Sequence, residues 1–257
     1  SISALNFADR LNNFILALFI TSIVAGVYPM LSKLSHDDNK EKFSEYIVKS
    51  SNSIILLVIP ISIGAIVLSK PIVKLLFERG AFDISATLMT ASALSMYSIG
   101  LVAYGLRDII NKVFYSLQDT KTPMINGAIA MGLNIVLNII FVKFMGHAGL
   151  ALATSLSALI CTFLLFYSLR KKIGNFGQEK ILTTAIKSLL SAILMGVCVT
   201  FAHAFIINHT GTGFIGQVIS ILVSVLAGVI VYGISVIILK IEEVSMIIDL
   251  LMKKIRR

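Results

Sequence analysis

Long stretches without a charged residue constrain this chain more than any other feature of its sequence. A helix needs about 20 apolar residues to cross the hydrocarbon core of a bilayer, and the chain contains several blocks of that order. The blocks are Leu11–Ser32, Ser50–Ser69, Ile84–Leu106, Thr122–Val142, Phe144–Leu169 and Ser188–Leu239. The last block is long enough for two helices, which the turn-forming residues from Asn208 to Gly213 separate. The sequence therefore predicts an all-α polytopic membrane protein with seven transmembrane helices.

The composition excludes an ordinary soluble domain. Of 257 residues, 57% are hydrophobic and 14% are charged, whereas soluble domains carry about 25% charged residues. The net charge of +9 does not indicate a nucleic-acid partner, because the basic residues lie between apolar blocks rather than along one basic face. We therefore expect membrane lipids, and no nucleic acid, among the partners.

The placement of Lys and Arg predicts how the helices are oriented. If the blocks cross the membrane alternately, one side holds 17 of the 22 basic residues and the other side holds five. Cytoplasmic loops carry the excess of basic residues, so the C-terminus is expected in the cytoplasm and the first full helix is expected to start outside. The chain begins with Ser1 rather than Met, and we expect residues 1–7 to end an earlier helix of a longer protein, of which this is the C-terminal part.

Two segments are predicted to lie along the membrane surface. Ser69 can cap a short amphipathic helix, so Pro71–Arg79 is expected on the outer surface. Residues 240–257 combine an apolar stripe with a basic face. This tail either lies on the anionic inner leaflet or is an ordinary solvated charged terminus.

Enzyme and metal motifs are scarce in the sequence. The four His residues are scattered, and no zinc-protease, nucleophile-elbow or phosphate-loop pattern occurs. The chain is therefore predicted not to be an enzyme and to need no cofactor, with Na⁺ as the one ion considered below.

Two groups of polar residues are candidates for a substrate-binding cavity. The pair Asp9-Arg10 precedes an apolar helix, and the planar guanidinium of Arg10 suits phosphate oxygens. The alternative is a helix-end ion pair at the outer interface. Tyr104 and Arg107 share one face of the third helix with Tyr97 and Asn111, so they can line a cavity. Here the alternative, which we favour, is an Arg107–Asp108 salt bridge at the inner boundary.

A third group offers oxygen ligands for a cation. Asn134 and Asn138 lie one turn apart on the fourth helix, and a short turn brings Thr154 back to a similar depth. With a free backbone carbonyl such as that of Leu150, these oxygens are the ligands that Na⁺ prefers. The alternative is hydrogen bonding between the two helices.

Several motifs in fixed order resemble one protein family. They are ADRL at Ala8–Leu11, YPMLS at Tyr28–Ser32, LFERGAF at Leu76–Phe82, VFYSLQDTKTP at Val113–Pro123 and GLALATS at Gly149–Ser155. Together they resemble the MurJ/MviN family of lipid II flippases, which belongs to the MATE-like superfamily of multidrug, oligosaccharidyl-lipid and polysaccharide exporters. The resemblance covers about residues 1–170, and the block from Phe114 to Pro123 is its most specific part.

The resemblance implies a fold of fourteen helices in two lobes plus a C-terminal helix pair. Residues 1–170 are then expected to form the C-terminal transport lobe, from the end of helix 7 to helix 12. Residues 171–239 would be the extra pair, helices 13 and 14, which in the family are thought to shelter the lipid tail, and residues 240–257 the basic cytoplasmic tail. The N-terminal half of the same protein would be the missing partner.

The resemblance also implies a function. A member would move an undecaprenyl-pyrophosphate-linked peptidoglycan precursor from the inner to the outer leaflet of the bacterial cytoplasmic membrane by alternating access. Arg10 would face the central cavity and meet the diphosphate, with Asp9 beside it. Some members hold sodium with an Asn and an acidic residue one turn apart, and here the acidic position is Asn138. The alternatives are a drug, cation or polysaccharide-lipid exporter and a membrane scaffold for envelope enzymes.

Overall fold

A computed structural model of the chain describes residues 2–35, 39–80, 82–211 and 213–244. Within these ranges the chain forms ten α-helices of nine residues or more. Their bounds are α1 Ile2–Ile15, α2 Thr21–Ser35, α3 Lys40–Val67, α4 Ser69–Phe77, α5 Ile84–Ser98, α6 Leu101–Ser116, α7 Lys121–Met145, α8 His147–Ile173, α9 Gln178–Thr210 and α10 Phe214–Ile238.

Seven helical segments of the described residues are long and apolar enough to cross a bilayer, which confirms the predicted number. They are Ile2–Ser35, Lys40–Val67, Ile84–Ser116, Lys121–Met145, His147–Ile173, Gln178–Thr210 and Phe214–Ile238. Most of these segments are longer than the corresponding charge-free blocks, because a helix can include charged residues beyond the boundary of the bilayer.

The first span is one continuous segment of 34 residues, roughly 50 Å long. A π-helical turn at Leu16–Ile20 joins α1 to α2 without a break. The prediction that a separate helix ends near residue 7 is therefore wrong, and Asp9 lies inside the helix. Ala4, Ala8 and Asn12 follow one another at a spacing of one turn and are buried, so the face of α1 that packs on α5 continues through this region.

The third span is broken instead, at Ile99–Gly100 between α5 and α6. A Cβ atom on Gly100 would lie 2.9 Å from the Cα of Ser155 in α8, so only glycine allows this close approach. The break frees backbone carbonyls, and the Ser155 hydroxyl donates to those of Met96 and Tyr97 at 2.6 and 3.2 Å. Backbone groups inside a membrane must be satisfied by protein, and Ser155 does this for the broken helix.

The central core lies where α2, α3, α6 and α8 meet. Ile54, Ile109, Phe114 and Leu165 are its large, fully buried side chains from three of these helices. α9 packs against α3 on one side and against α10 on the other, so the last two helices attach to the bundle mainly through α9. The proposed division of the chain at residue 170 stays a prediction, and α8 itself continues to Ile173.

The two predicted surface segments have different outcomes. The short helix is present as α4, but it begins at Ser69 directly after a turn at Leu68 and ends at Phe77. Ser69 is therefore the first helical residue rather than the cap, and its hydroxyl accepts a hydrogen bond from Ser95 of α5. The tail of residues 240–257 lies outside the described residues from residue 245 onward.

Candidate functional site

A polar cavity of about 460 Å³ lies between α6, α7 and α8. Tyr104 and Arg107 of α6 line it, together with Asn134 of α7 and with Thr154 and Ser157 of α8. The structure thus brings residues predicted for two different sites, a substrate cavity and a cation site, into one space. The shared lining follows from α7 and α8 forming an antiparallel hairpin whose polar face is turned toward α6.

Arg107 has no acidic partner in this cavity. Its guanidinium carbon lies 5.1 Å from the centroid of the Tyr104 ring, a cation–π contact. Of the residues that the structure describes, no carboxylate lies within 4.0 Å of the Arg107 side chain. The predicted Arg107–Asp108 salt bridge is therefore wrong, because adjacent residues project from different sides of a helix and Asp108 lines another cavity.

This second cavity, of about 500 Å³, lies between α2 and α6. Lys112 projects into it with its ammonium nitrogen 5.2 Å from the centroid of the Tyr28 ring and 5.8 Å from that of Tyr115. Asn111 lines both cavities. Sequence reasoning did not identify Lys112 as a cavity residue. Its spacing of four residues from Asp108 could have indicated a second polar side of α6, but its position beside Tyr28 of the YPMLS motif is visible only in the structure.

Asp9 and Arg10 do not form the ion pair that was one alternative for them. The Asp9 carboxylate accepts a hydrogen bond from the Asn13 amide at 2.9 Å. Arg10 is exposed on α1 and has neither a hydrogen-bond nor an ion-pair partner in the described part of the chain. Neither residue lines the two cavities, but Asp9 lies close enough to Tyr104 to interact with it electrostatically. Asp9 is thus near the cavity between α6, α7 and α8 without lining it, and Arg10 lines neither cavity.

The predicted cation ligands are hydrogen-bonded to each other. The amide nitrogen of Asn138 donates to the Asn134 side-chain oxygen at 2.9 Å, and the Asn134 nitrogen donates to the Ser157 hydroxyl at 3.2 Å. The Thr154 hydroxyl donates to the Leu150 carbonyl at 2.9 Å. The prediction of a free Leu150 carbonyl is therefore wrong, because this residue lies inside α8.

These residues do not fit a sodium site. The side-chain oxygen of Asn138 is the one member of the set that is buried without a hydrogen-bond partner. The set contains no carboxylate, and a hard cation is bound through several oxygens that are free to coordinate it. The alternative prediction, hydrogen bonding between the two helices, matches the bond from Asn134 to Ser157. Ser157 was not predicted, although its position three residues after Thr154 places it on the same face of α8.

The QDTKTP motif forms the loop that places the start of α7 beside the cavity. Asp119 accepts hydrogen bonds from the backbone N–H and the hydroxyl of Thr122 at 2.9 and 2.8 Å. It also forms an ion pair with Lys172 of α8, with the ammonium nitrogen 2.5 Å from a carboxylate oxygen. Partial burial alone would raise the pKa of Asp119, but the hydrogen bonds from Lys172 and Thr122 outweigh it and lower the pKa to about 2. Asp119 therefore stays ionised and ties α7 to the end of α8.

Comparisons with known proteins converge on one family. The family model described as "Lipid II flippase MurJ" matches residues 1–224 of the chain. The chain is similar to the probable lipid II flippase MurJ of Vibrio cholerae, with 36% identity over 76% of this chain and 38% of that protein. It is also similar to the lipid II flippase MurJ of Thermosipho africanus, with 32% identity over 89% of this chain and 43% of that protein.

The fold has a close counterpart among solved structures. A structure titled "Lipid II flippase MurJ, inward closed conformation" superimposes with a TM-score of 0.74 and 29% identity, over 93% of this chain and 48% of that chain. The chain thus spans less than half the length of the relatives it matches.

Proposed function

Because the chain belongs to the lipid II flippase MurJ family, we propose that it forms the second lobe of a flippase for a lipid-linked peptidoglycan precursor. The chain is a multi-pass membrane protein of a bacterial inner-membrane family. Its proposed partners are the first lobe, the lipid-linked substrate and the surrounding lipids.

The observation that carries the proposal is an arginine without an acidic partner inside a membrane-spanning segment. An ionisable residue at membrane depth is costly unless it faces a cavity or a partner. Arg107 projects into a polar cavity where the described residues supply no carboxylate, and Arg10 on α1 likewise has no ion-pair partner there. Guanidinium groups bind phosphate oxygens with two parallel hydrogen bonds, so a pyrophosphate would supply the charge that both side chains lack.

The proposed mechanism is alternating access around the polar cavities. A pyrophosphate–sugar headgroup cannot cross hydrocarbon unaided, because removing its charges from water without partners is prohibitively unfavourable. The arginines would hold the diphosphate, while Tyr104, Asn111 and Asn134 would offer hydrogen bonds to sugar hydroxyls. The polyprenyl tail would stay in the lipid. No step is assigned to Na⁺, because the Asn134–Asn138 network does not offer it a ligand set.

We propose that the C-terminus is cytoplasmic. The positive-inside rule supports this orientation, with 17 of 22 basic residues on that side when Arg107 is counted at the cytoplasmic end of its span. The count of basic residues assumes that successive spans cross the membrane in opposite directions, and contacts at the helix ends support this assumption. The loop before α7 meets the end of α8 through Asp119 and Lys172, and Phe7 of α1 packs at the opposite end against Phe77 and Phe82.

The drug or cation exporter alternative is less well supported. A cationic substrate requires acidic groups, and the cavity between α6, α7 and α8 has no Asp or Glu in its described lining. The alternative of a different class, a scaffold without transport activity, predicts that neutral substitutions of Arg107 and Arg10 have no effect on growth.

The test is complementation of a flippase-depleted strain by the full-length protein carrying Arg107→Ala or Arg10→Ala. Both variants should fail to restore growth, and the Lys variants should restore it partly, because lysine keeps the charge but not the planar fork. Arg170→Ala, at an exposed position near the end of α8, is the matched control and should complement fully. Full activity of both the Arg107→Ala and the Arg10→Ala variant at normal membrane levels would exclude the proposed role.

A second arm tests the lobe itself. Purified residues 1–257 in liposomes should give no flipping of a fluorescent lipid-linked precursor, whereas the full-length protein should. Replacing Na⁺ by K⁺ should leave the rate of the full-length protein unchanged. A rate that depends on Na⁺ would contradict the proposed absence of a sodium-coupled step.

A further inference from the structure

A third cavity, of about 350 Å³, lies away from the α6 cavities, where α3 and the start of α9 meet the residues that follow α10. Its volume is within the range of roughly 300–1,000 Å³ found for small-ligand sites. Six charged side chains, three of each sign, line it: Lys180, Lys187, Lys240, Glu179, Glu242 and Glu243. The balance of charge distinguishes it from the cavity around Arg107, which has no acidic lining residue.

Two acceptor atoms of residues that line this cavity are buried within the protein and have no partner. Asn52 of α3 is only 1% exposed, and its amide nitrogen donates a hydrogen bond to one carboxylate oxygen of Glu243. The Asn52 side-chain oxygen and the second Glu243 oxygen are both buried and accept no hydrogen bond from the described residues. Buried polar atoms are nearly always paired, so these two oxygens require a donor from outside the described chain.

The lysines of the cavity, in contrast, lack an anionic partner. The side chains of Lys180, Lys187 and Lys240 form no ion pair within the described residues, although glutamates share the lining. A ligand with a single anionic group would satisfy the lysines and leave the acceptors of Asn52 and Glu243 unpaired. A ligand with a phosphate and an ammonium group satisfies both.

The surroundings of the cavity are suited to a lipid. α10 ends at Ile238, two residues before Lys240, and the Ile238 side chain is 70% exposed. On α9, Leu182 and Ile186 are 62% and 52% exposed and lie within one turn of Lys180 and Lys187 in sequence. Exposed apolar side chains next to a charged cavity match the boundary between acyl chains and headgroups.

We propose that this cavity binds the headgroup of a phosphatidylethanolamine-type lipid. Lys187 and Lys240 hold the phosphate, and the Glu243 carboxylate turns toward the cavity and accepts hydrogen bonds from the ammonium. The cytoplasmic orientation proposed above places the site in the inner leaflet. The lipid joins α3 of the lobe to α9 and to the segment after α10, and therefore stabilises the attachment of the last helix pair.

The experiment is native mass spectrometry of the full-length protein in detergent with defined lipids. Phosphatidylethanolamine should be retained about tenfold more than phosphatidylcholine, whose ammonium has no N–H donor, and more than phosphatidylglycerol, which has no ammonium. The double variant Lys187→Ala/Lys240→Ala should lose this retention. The matched control is Lys121→Ala/Lys171→Ala, two exposed lysines outside the cavity lining with the same change in net charge.

Glu243→Gln separates the ammonium from the phosphate. This variant should bind phosphatidylethanolamine and phosphatidylcholine about equally while still retaining both. Equal retention of the lipids by the unmodified protein, or unchanged retention in the lysine double variant, would overturn the proposal. Binding of soluble phosphoethanolamine as tightly as the lipid would overturn the lipid assignment. Arg107 and Arg10 are unchanged throughout, so the outcome is independent of the complementation test.

Discussion

Gly149→Ala is expected to destabilise the hairpin of α7 and α8, which forms one wall of the cavity between α6, α7 and α8. Gly149 lies buried in the first turn of α8, and a Cβ atom there would lie 2.4 Å from the carbonyl oxygen of Phe141 in α7. A backbone oxygen cannot rotate away as a side chain can, so the two helices must separate.

The expected size of this effect follows from two opposing contributions. Overpacking a close contact costs about 1–3 kcal/mol, and replacing glycine by alanine in a helix recovers up to about 1 kcal/mol. Because the clash is with backbone, we take the upper part of the range and expect a net loss of about 2 kcal/mol in the free energy of unfolding. Gly132→Ala in α7 is the matched control, since nothing lies within 4 Å of its would-be Cβ atom. It should be neutral or stabilising.

The assay is the free energy of unfolding of the full-length protein, measured in bicelles by steric trapping. Gly149→Ala should fall below the unmodified protein, and Gly132→Ala should match or exceed it. The reasoning is refuted if both alanine variants are equally stable, because the close approach of α7 and α8 would then impose no constraint.

Three further substitutions test other contacts. Ser155→Ala should lower the unfolding free energy by about 1–3 kcal/mol, because carbonyls in the broken third span lose their donor, while Ser53→Ala, whose exposed hydroxyl bonds only within its own helix, should change the same assay little. Asp119 stabilises the fold above its ordinary pKa of 3.8, and this contribution disappears as the pH falls through about 2. Asp119→Asn should therefore lower the thermal midpoint most at pH 6, about half as much at pH 3 and little at pH 2, and an equal loss at all three would contradict the charge argument. Asn138→Asp should make the thermal midpoint depend on Na⁺ over K⁺, and identical midpoints would show that a missing carboxylate is not what prevents binding.

Features that depend on short stretches of sequence were predictable. Each span is defined by the length of its own apolar block, so seven spans followed without knowledge of any contact. The short helix α4 was found for the same reason. The family was indicated by contiguous motifs, of which the QDTKTP loop is now explained by the bonds of Asp119 to Thr122 and Lys172.

Two of the misjudged features depend on neighbouring helices. The sequence around Asp9 suggested a helix boundary, yet the face of α1 that packs on α5 continues through it. Nothing near Gly100 in sequence shows that α8 approaches there and that Ser155 satisfies the broken backbone. The third is local: the Leu150 carbonyl lies inside α8 and accepts a hydrogen bond from Thr154 of the same helix.

Sequence alone determined that this chain crosses a membrane seven times and which residues could carry polar chemistry within it. Tertiary structure decided which of those residues share a cavity and which are already paired. Arg107 of α6 shares a cavity with Asn134 of α7 and Thr154 of α8, while the Asn134 amide is engaged by Ser157 of α8. The physical reason is that hydrophobic length and charge act locally along the chain, whereas the pairing of a buried polar atom depends on how helices distant in sequence pack against each other.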